Sequence, residues 1–199
     1  MMAKTVMTSG PIARWLANAA AARRDSRGSA AIEFAVIAPV MILMFLGTVE
    51  VSSGVAVDRK VSLVARTLSD LTSQAQNVTS ADLTGIFSAA AAIMIPYYSA
   101  SDYKAKISEI KIDANGNAKI AWGVATTNET ARSAGDPASS LPGALKINST
   151  YLIWSEVTYT YKPALWLTGQ SQPTFTLSSA FYTRPRQSSC VLYNTTNCP

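Results

Sequence analysis

Sixteen consecutive residues without a charge, Phe34-Ala-Val-Ile-Ala-Pro-Val-Met-Ile-Leu-Met-Phe-Leu-Gly-Thr-Val49, lie between Glu33 and Glu50 near the start of a 199-residue chain. Exposing such a run to water costs roughly 25 cal/mol for every Å² of apolar surface. It must therefore be buried in a core, removed as a signal, or placed in a membrane. Sixteen residues fall just short of the roughly 17–25 that span hydrocarbon as a helix. The apolar character extends from Ala30 to Val57 if the two glutamates are tolerated, and that stretch as a helix is about 40 Å long, enough to cross a bilayer.

The charge distribution separates these readings. Residues 1–28 hold Lys4, Arg14, Arg23, Arg24 and Arg27 against Asp25, whereas residues 29–199 balance 12 basic against 11 acidic side chains. Of the net charge of +5, +4 lies in the leader, which argues against a nucleic-acid groove, since that needs cations spread over a folded face. It fits a topology signal that keeps the leader in the cytoplasm and puts everything after Val57 on the far side. A core helix is disfavoured by the arginines and by the length of the run. A cleaved secretory signal has small residues at Gly54-Val55-Ala56, but they lie beyond Glu50, where a signal's apolar region should already have ended. A retained single-pass anchor fits best.

Glu33 sharpens that reading. A carboxylate where the bilayer begins is costly unless a cation compensates it. Gly28 stands five residues earlier, and cleavage after it would create an ammonium at Ser29, which could pair with Glu33 of the same or a neighbouring subunit. A snorkelling carboxylate paired with Arg24 or Arg27 is the plainer alternative, as a loop glycine is for Gly28. Pro39 would free the carbonyl of Ala35, which membrane helices tolerate when a neighbour satisfies it.

The sequence Arg27-Gly28-Ser29-Ala30-Ala31-Ile32-Glu33-Phe34-Ala35, followed by Ala38-Pro39 and a run of Met, Leu, Ile and Phe, resembles the start of TadE-like proteins, pseudopilins of the tight-adherence (Flp) pilus system. The resemblance covers residues 24 to about 66. It implies a bacterial inner-membrane protein that takes part in assembling Flp pili, which mediate surface attachment and biofilm formation. Its partners would be the membrane, other pilins or pseudopilins, the assembly machinery and a prepilin peptidase cutting between Gly28 and Ser29. The residues carried over for processing and assembly are Gly28, Glu33 and the adjacent Phe34.

The rest of the chain reads as an α+β protein: an N-terminal transmembrane helix continuing into a stalk, then a small antiparallel sheet with a helix packed on one face. The expected divisions are a cytoplasmic leader at 1–28, the membrane helix at 29–57, a stalk and linker at 58–76, a periplasmic domain at 77–189 and a tail at 190–199. Val57, Val61, Val64, Leu68 and Leu71 recur at heptad-like spacing. Two heptads do not establish a coiled coil, and packing of this stripe on the protein's own domain is the better reading. Thr72–Thr79 reads as a linker. A helix is expected over Ala81–Ile95, capped by Thr79 or Ser80 and stopped by Pro96. Strands are expected at Lys104–Asp113 and Ala118–Ala125 around Asn115-Gly116, then at Ser149–Lys162 and from Phe175 to about Thr183. A short connection containing Trp166 joins the last two, and residues 126–148 form a surface excursion.

With no histidine in the chain, Ser-His-Asp and Cys-His catalysis, HExxH zinc sites and Cys/His fingers are excluded. The serines, lysines and carboxylates show no diagnostic spacing, so neither an enzymatic activity nor a cofactor is expected. Cys190 and Cys198 are the only cysteines. A periplasmic location would favour a disulfide between them, two free thiols being the alternative. A reading from a different class is an independent membrane-anchored binding module that uses the 126–148 loop.

Overall fold

The computed structural model describes residues 28–164, 172–194 and 197–198, together with Trp15. The leader cations and Trp166 lie outside the described residues. Its contacts divide the chain into two compact units, Met1–Val49 and Glu50–Pro199. One helix, α1 (Ser29–Ser73), contributes to both.

In the first unit α1 runs through Pro39 without interruption. Its apolar side chains are open: Ile32, Phe34, Val36, Val40, Met41, Leu43, Met44 and Phe45 are all exposed. Thr48 donates its hydroxyl to the Met44 carbonyl at 2.8 Å, hiding its polarity within the helix. The helix is long and apolar enough to cross a membrane.

The second unit is α+β. After α1 come β1 (Asn77–Val78), α2 (Ser80–Ala92), β2 (Tyr103–Ile112), β3 (Ala118–Ala125), β4 (Thr150–Tyr161), β5 (Phe175–Thr183) and β6 (Leu192–Tyr193). The main sheet has the order β3-β2-β4-β5 with every pair antiparallel. The four strands lie within one residue of the expected ends. Alternation of inward and outward side chains marks such boundaries directly.

The β2–β3 turn forms at Asn115-Gly116 as expected. Gly116 has φ +83, a conformation that favours glycine. The Asp113 Oδ1 accepts from the backbone N–H groups of Asn115 and Asn117, both at 2.8 Å. Helix α2 is capped by Thr79: its hydroxyl accepts from Asp82 N at 3.2 Å, and Asp82 Oδ2 accepts from Thr79 N at 2.9 Å. The helix stops at Ala92, three residues before the expected end. The chain leaves the helix through i→i+3 bonds from Ile93 N to Ala90 O, Met94 N to Ala91 O and Ile95 N to Ala92 O before Pro96. The Lys60 ammonium of α1 then donates to the carbonyls of Ile93 and Ile95 at 2.7 and 2.9 Å, satisfying groups beyond the helix end.

Val57, Val61, Val64 and Leu68 are completely buried in the domain core, whereas Leu71 is part-exposed. Burying each such side chain stabilises by about 1.5–3 kcal/mol. The stripe thus packs on the protein's own domain, the reading preferred from the sequence, and residues 58–73 form one of its core helices rather than a free stalk. Small side chains bring α1 close to β4: Ser155 donates its hydroxyl to the Ala65 carbonyl at 2.6 Å, and Ser69 donates to the Ile153 carbonyl at 3.3 Å. The expected linker at Thr72–Thr79 is also revised. Thr72 and Ser73 complete α1, and Asn77–Val78 pairs in parallel with Leu192–Tyr193. Cys190 and Val191, just before β6, have no exposed surface, so the segment read as a tail begins inside the core. Cys190 and Cys198 form a disulfide with a Cα–Cα distance of 5.9 Å.

The 126–148 excursion covers the opposite face of the sheet. Ala138 and Leu141 pack on Ile110, Ile112, Ile120, Leu152 and Trp154 in a second cluster. The excursion also shields the β3 edge, where Ile120 N donates to Asp136 O and Gly135 N to Ile120 O, both at 2.8 Å. Arg132 grips Glu156 through two hydrogen bonds of 2.8 Å and lies 3.8 Å over the Trp154 ring. Gly123 makes this closeness possible, since a Cβ there would sit 2.5 Å from the Arg132 carbonyl oxygen. Gly123→Ala is expected to cost roughly 1–3 kcal/mol by overpacking. A thermal melt followed by circular dichroism should show it as a drop of about 2–4 °C per kcal/mol. An unchanged midpoint would mean that the loop yields freely.

Candidate functional site

Three carboxylates mark the parts of the chain where function has to be sought. The first is Glu33, in the second turn of α1. Ser29, the residue after Gly28, donates its hydroxyl to Glu33 Oε1 at 3.0 Å. The two side chains meet because residues four apart lie on one helical face. Ile32 and Phe34 beside Glu33 are 69% and 68% exposed, so the carboxylate is set in an open apolar surface. A carboxylate offers about four lone-pair sites, and the Ser29 hydroxyl occupies one. The arrangement leaves acceptor positions on which a cation could sit. The arginines weighed as its partners, Arg24 and Arg27, lie outside the described residues.

The second carboxylate, Glu50, closes the apolar run. Tyr161 at the end of β4 donates its hydroxyl to Glu50 Oε1 at 2.5 Å, and Ala164 N donates to the same oxygen at 3.2 Å. Burial, and then the hydrogen bond and charge of Glu50, push the Tyr161 phenol up to about 12. Glu50 is thus tied to the end of β4 rather than being only a bracket of the apolar run. Sequence reasoning placed Tyr161 in the strand but could not pair residues 111 positions apart.

The third, Glu109, was not anticipated. It has no exposed surface and sits on the helix-facing side of β2, after Tyr103, Ala105 and Ile107 in alternation. Its Oε1 accepts from Val191 N at 2.6 Å and its Oε2 from Trp122 Nε1 at 2.9 Å. Trp122 Nε1 also donates to Val191 O at 2.9 Å. Desolvation pushes the carboxyl up to about 7, against the two hydrogen bonds, which pull the other way. The available signal was an acidic residue at an inward position of a strand. Its partners are 13 and 82 residues away and left no local trace. Chemically this is a structural clasp that holds the C-terminal segment against the sheet.

No group of three or more His, Cys, Asp or Glu that could hold a metal ion occurs among the described residues.

An open apolar helix, entering an α+β domain whose core its own later turns complete, defines a class: a domain carried on a membrane-competent helix. Within that class, the family model described as TadE-like protein matches residues 28–68. The match coincides with the segment where the resemblance was read, and it contains Gly28, Ser29, Glu33 and Phe34 as well as the buried stripe from Val57 to Leu68. No curated protein and no solved structure matches the chain.

Proposed function

We propose that this protein is a single-pass inner-membrane component of the tight-adherence (Flp) pilus, a pseudopilin or assembly factor that acts through helix packing and protein contacts rather than catalysis. The observation that carries this reading is the open apolar surface of α1 within the TadE-like match. Water is the wrong solvent for that surface, whereas lipid and neighbouring helices suit it. The basic leader 1–28 stays in the cytoplasm, and the domain faces the periplasm, where Cys190 and Cys198 meet oxidising conditions. Gly28 and Ser29 flank the cut made by a prepilin peptidase. Glu33 then pairs with the new Ser29 ammonium of its own or a neighbouring subunit, with Phe34 packing beside it.

N-terminal sequencing and intact-mass measurement of the protein from native membranes, with and without the peptidase, test this directly. The expected result is a peptidase-dependent start at Ser29 in the membrane fraction. A start near Val57 would identify a secreted protein and eliminate the anchor. A leader left intact would remove the charge pair and leave a permanently anchored component.

A further inference from the structure

The chain treats the two edges of its main sheet differently. The β3 edge is closed by the 126–148 excursion, through the bridge of Lys119 with Pro137 and the backbone hydrogen bonds at Ile120. The β5 edge has none of the devices that blunt a free strand: Phe175–Thr183 runs nine residues without a proline or a charge, and its pairing with β4 has no bulge. Its backbone direction follows from its neighbour. Thr160 N donates to Asp102 O at 3.0 Å, so even-numbered residues of β4 turn their backbone groups to β2 and odd-numbered ones to β5. The β5 residues opposite those odd ones, from Phe175 to Thr183 by twos, are bonded to β4. Thr176, Ser178, Ala180 and Tyr182 therefore turn their N–H and C=O groups outward, where no described residue receives them. Open donors and acceptors in strand geometry fit another strand.

The side chains beside this edge select what the added strand carries. Phe181 packs toward the helix side of the sheet, and the Arg66 guanidinium of α1 lies 5.4 Å from its ring centroid. Because the backbone of Phe181 is turned to β4, a residue opposite it on an added antiparallel strand forms a non-hydrogen-bonded pair. Such pairs bring side chains closest, with Cα atoms about 4.5 Å apart. That residue meets Arg66, which is exposed and forms no ion pair among the described residues. Asp70, one turn further along α1, is already held by Arg186 at 2.9 Å, and Arg184 just past β5 is another exposed cation. The residue that complements this flank is a carboxylate. A second copy offers no such strand, because β5 contains no acidic residue and the β3 edge is closed.

We propose that the β5 edge docks an extended acidic segment of another protein, which adds antiparallel to β5 and sets a carboxylate against Arg66. The outward groups of Thr176, Ser178, Ala180 and Tyr182 hold its backbone, and the charge of Arg66 selects its side chain. The site is independent of the membrane reading, because every residue in it belongs to the Glu50–Pro199 unit.

The test is fluorescence anisotropy of a labelled peptide of the same length as β5, alternating Glu with Val, titrated with the full chain in phosphocholine micelles. The same peptide with Lys in place of Glu is the control. The Glu peptide should bind about tenfold more tightly than the Lys peptide, since like charges across an interface are penalised. Arg66→Glu should reverse that preference, a gain for the Lys peptide that mere damage to the fold would not produce. Ala180→Pro removes one outward N–H and leaves the β4 ladder intact, as edge strands allow. It should weaken binding of the Glu peptide by about fivefold to tenfold, the value of one hydrogen bond, with an unchanged circular dichroism spectrum. Binding of the Glu peptide to the basic leader would be indifferent to both substitutions and would overturn the proposal. Failure of the Glu peptide to bind, or equal binding of the two peptides, would overturn it as well. A dimer in sedimentation that Ala180→Pro dissolves would give the edge to a second copy instead, against the proposal.

Discussion

Glu33→Ala is expected to reduce assembled pili by about a hundredfold or more while leaving the amount of membrane-inserted protein unchanged. Breaking a buried charge pair from one side costs about 3–5 kcal/mol because the other charge remains without compensation. Each 1.4 kcal/mol is a factor of ten in an association constant. In the isolated chain Glu33 touches Ser29 and lies in an exposed surface, so its loss removes no core contact. The Glu50–Pro199 unit should accordingly melt at the wild-type temperature. Glu33→Gln separates the two roles of the side chain: its amide oxygen can still accept from Ser29, but the charge is gone. Pilus counts by electron microscopy should fall for both variants if charge pairing drives assembly. Normal pili in Glu33→Ala would eliminate that mechanism, and a defect confined to alanine would assign the effect to the Ser29 hydrogen bond.

The second large effect is expected at Glu109. In Glu109→Ala the buried Val191 N–H loses its acceptor, whereas Trp122 Nε1 retains the Val191 carbonyl. An orphaned buried donor costs about 1–3 kcal/mol, and the vacated space beneath Trp122 adds to it. Together these are expected to cost about 2–4 kcal/mol. Hydrogen exchange should accelerate at Val191 before it does in β2 or β4, because the C-terminal segment loses its clasp first.

Stability should also depend on pH through this carboxyl. Its folded value of about 7 lies above the ordinary value of 4.5, so between those limits the folded state holds a proton that the unfolded state has released. The contribution is complete below about pH 4.5, is lost as the pH rises through about 7, and is flat above that. Its full size is about 3 kcal/mol at 1.36 kcal/mol per pKa unit. Asp102 acts in the opposite sense: its hydrogen bonds to Lys162, at 2.8 and 3.0 Å, hold it below the usual carboxylate range. That stability is lost only in acid. Urea unfolding of wild type and Glu109→Gln between pH 5 and 8 isolates the Glu109 effect, and parallel profiles would refute it.

Much of the domain was legible because its signals are local. Alternating side chains located β2, β3, β4 and β5, Asn115-Gly116 located their first turn, and Thr79 or Ser80 as cap located the start of α2. The apolar helix was equally legible, because the uncharged run between Glu33 and Glu50 is a local signal. The disagreements have one physical origin. Lys60 donates to carbonyls just past the end of α2, 33 and 35 residues away, and no propensity within α2 encodes that. Strands β1 and β6 have two residues each, too few to show alternation, and they exist only because Val78 and Val191 are buried together.

The sequence by itself thus located the four strands of the main sheet, the apolar helix long enough to cross a membrane, and the short segment that the TadE-like model matches. Only the tertiary structure decided that Glu50 is bound to Tyr161 and that Glu109 clasps the C-terminal segment. Periodicity and capping are properties of neighbours along the chain, whereas pairing, burial and unmet hydrogen bonds are properties of residues that meet only after the chain has folded.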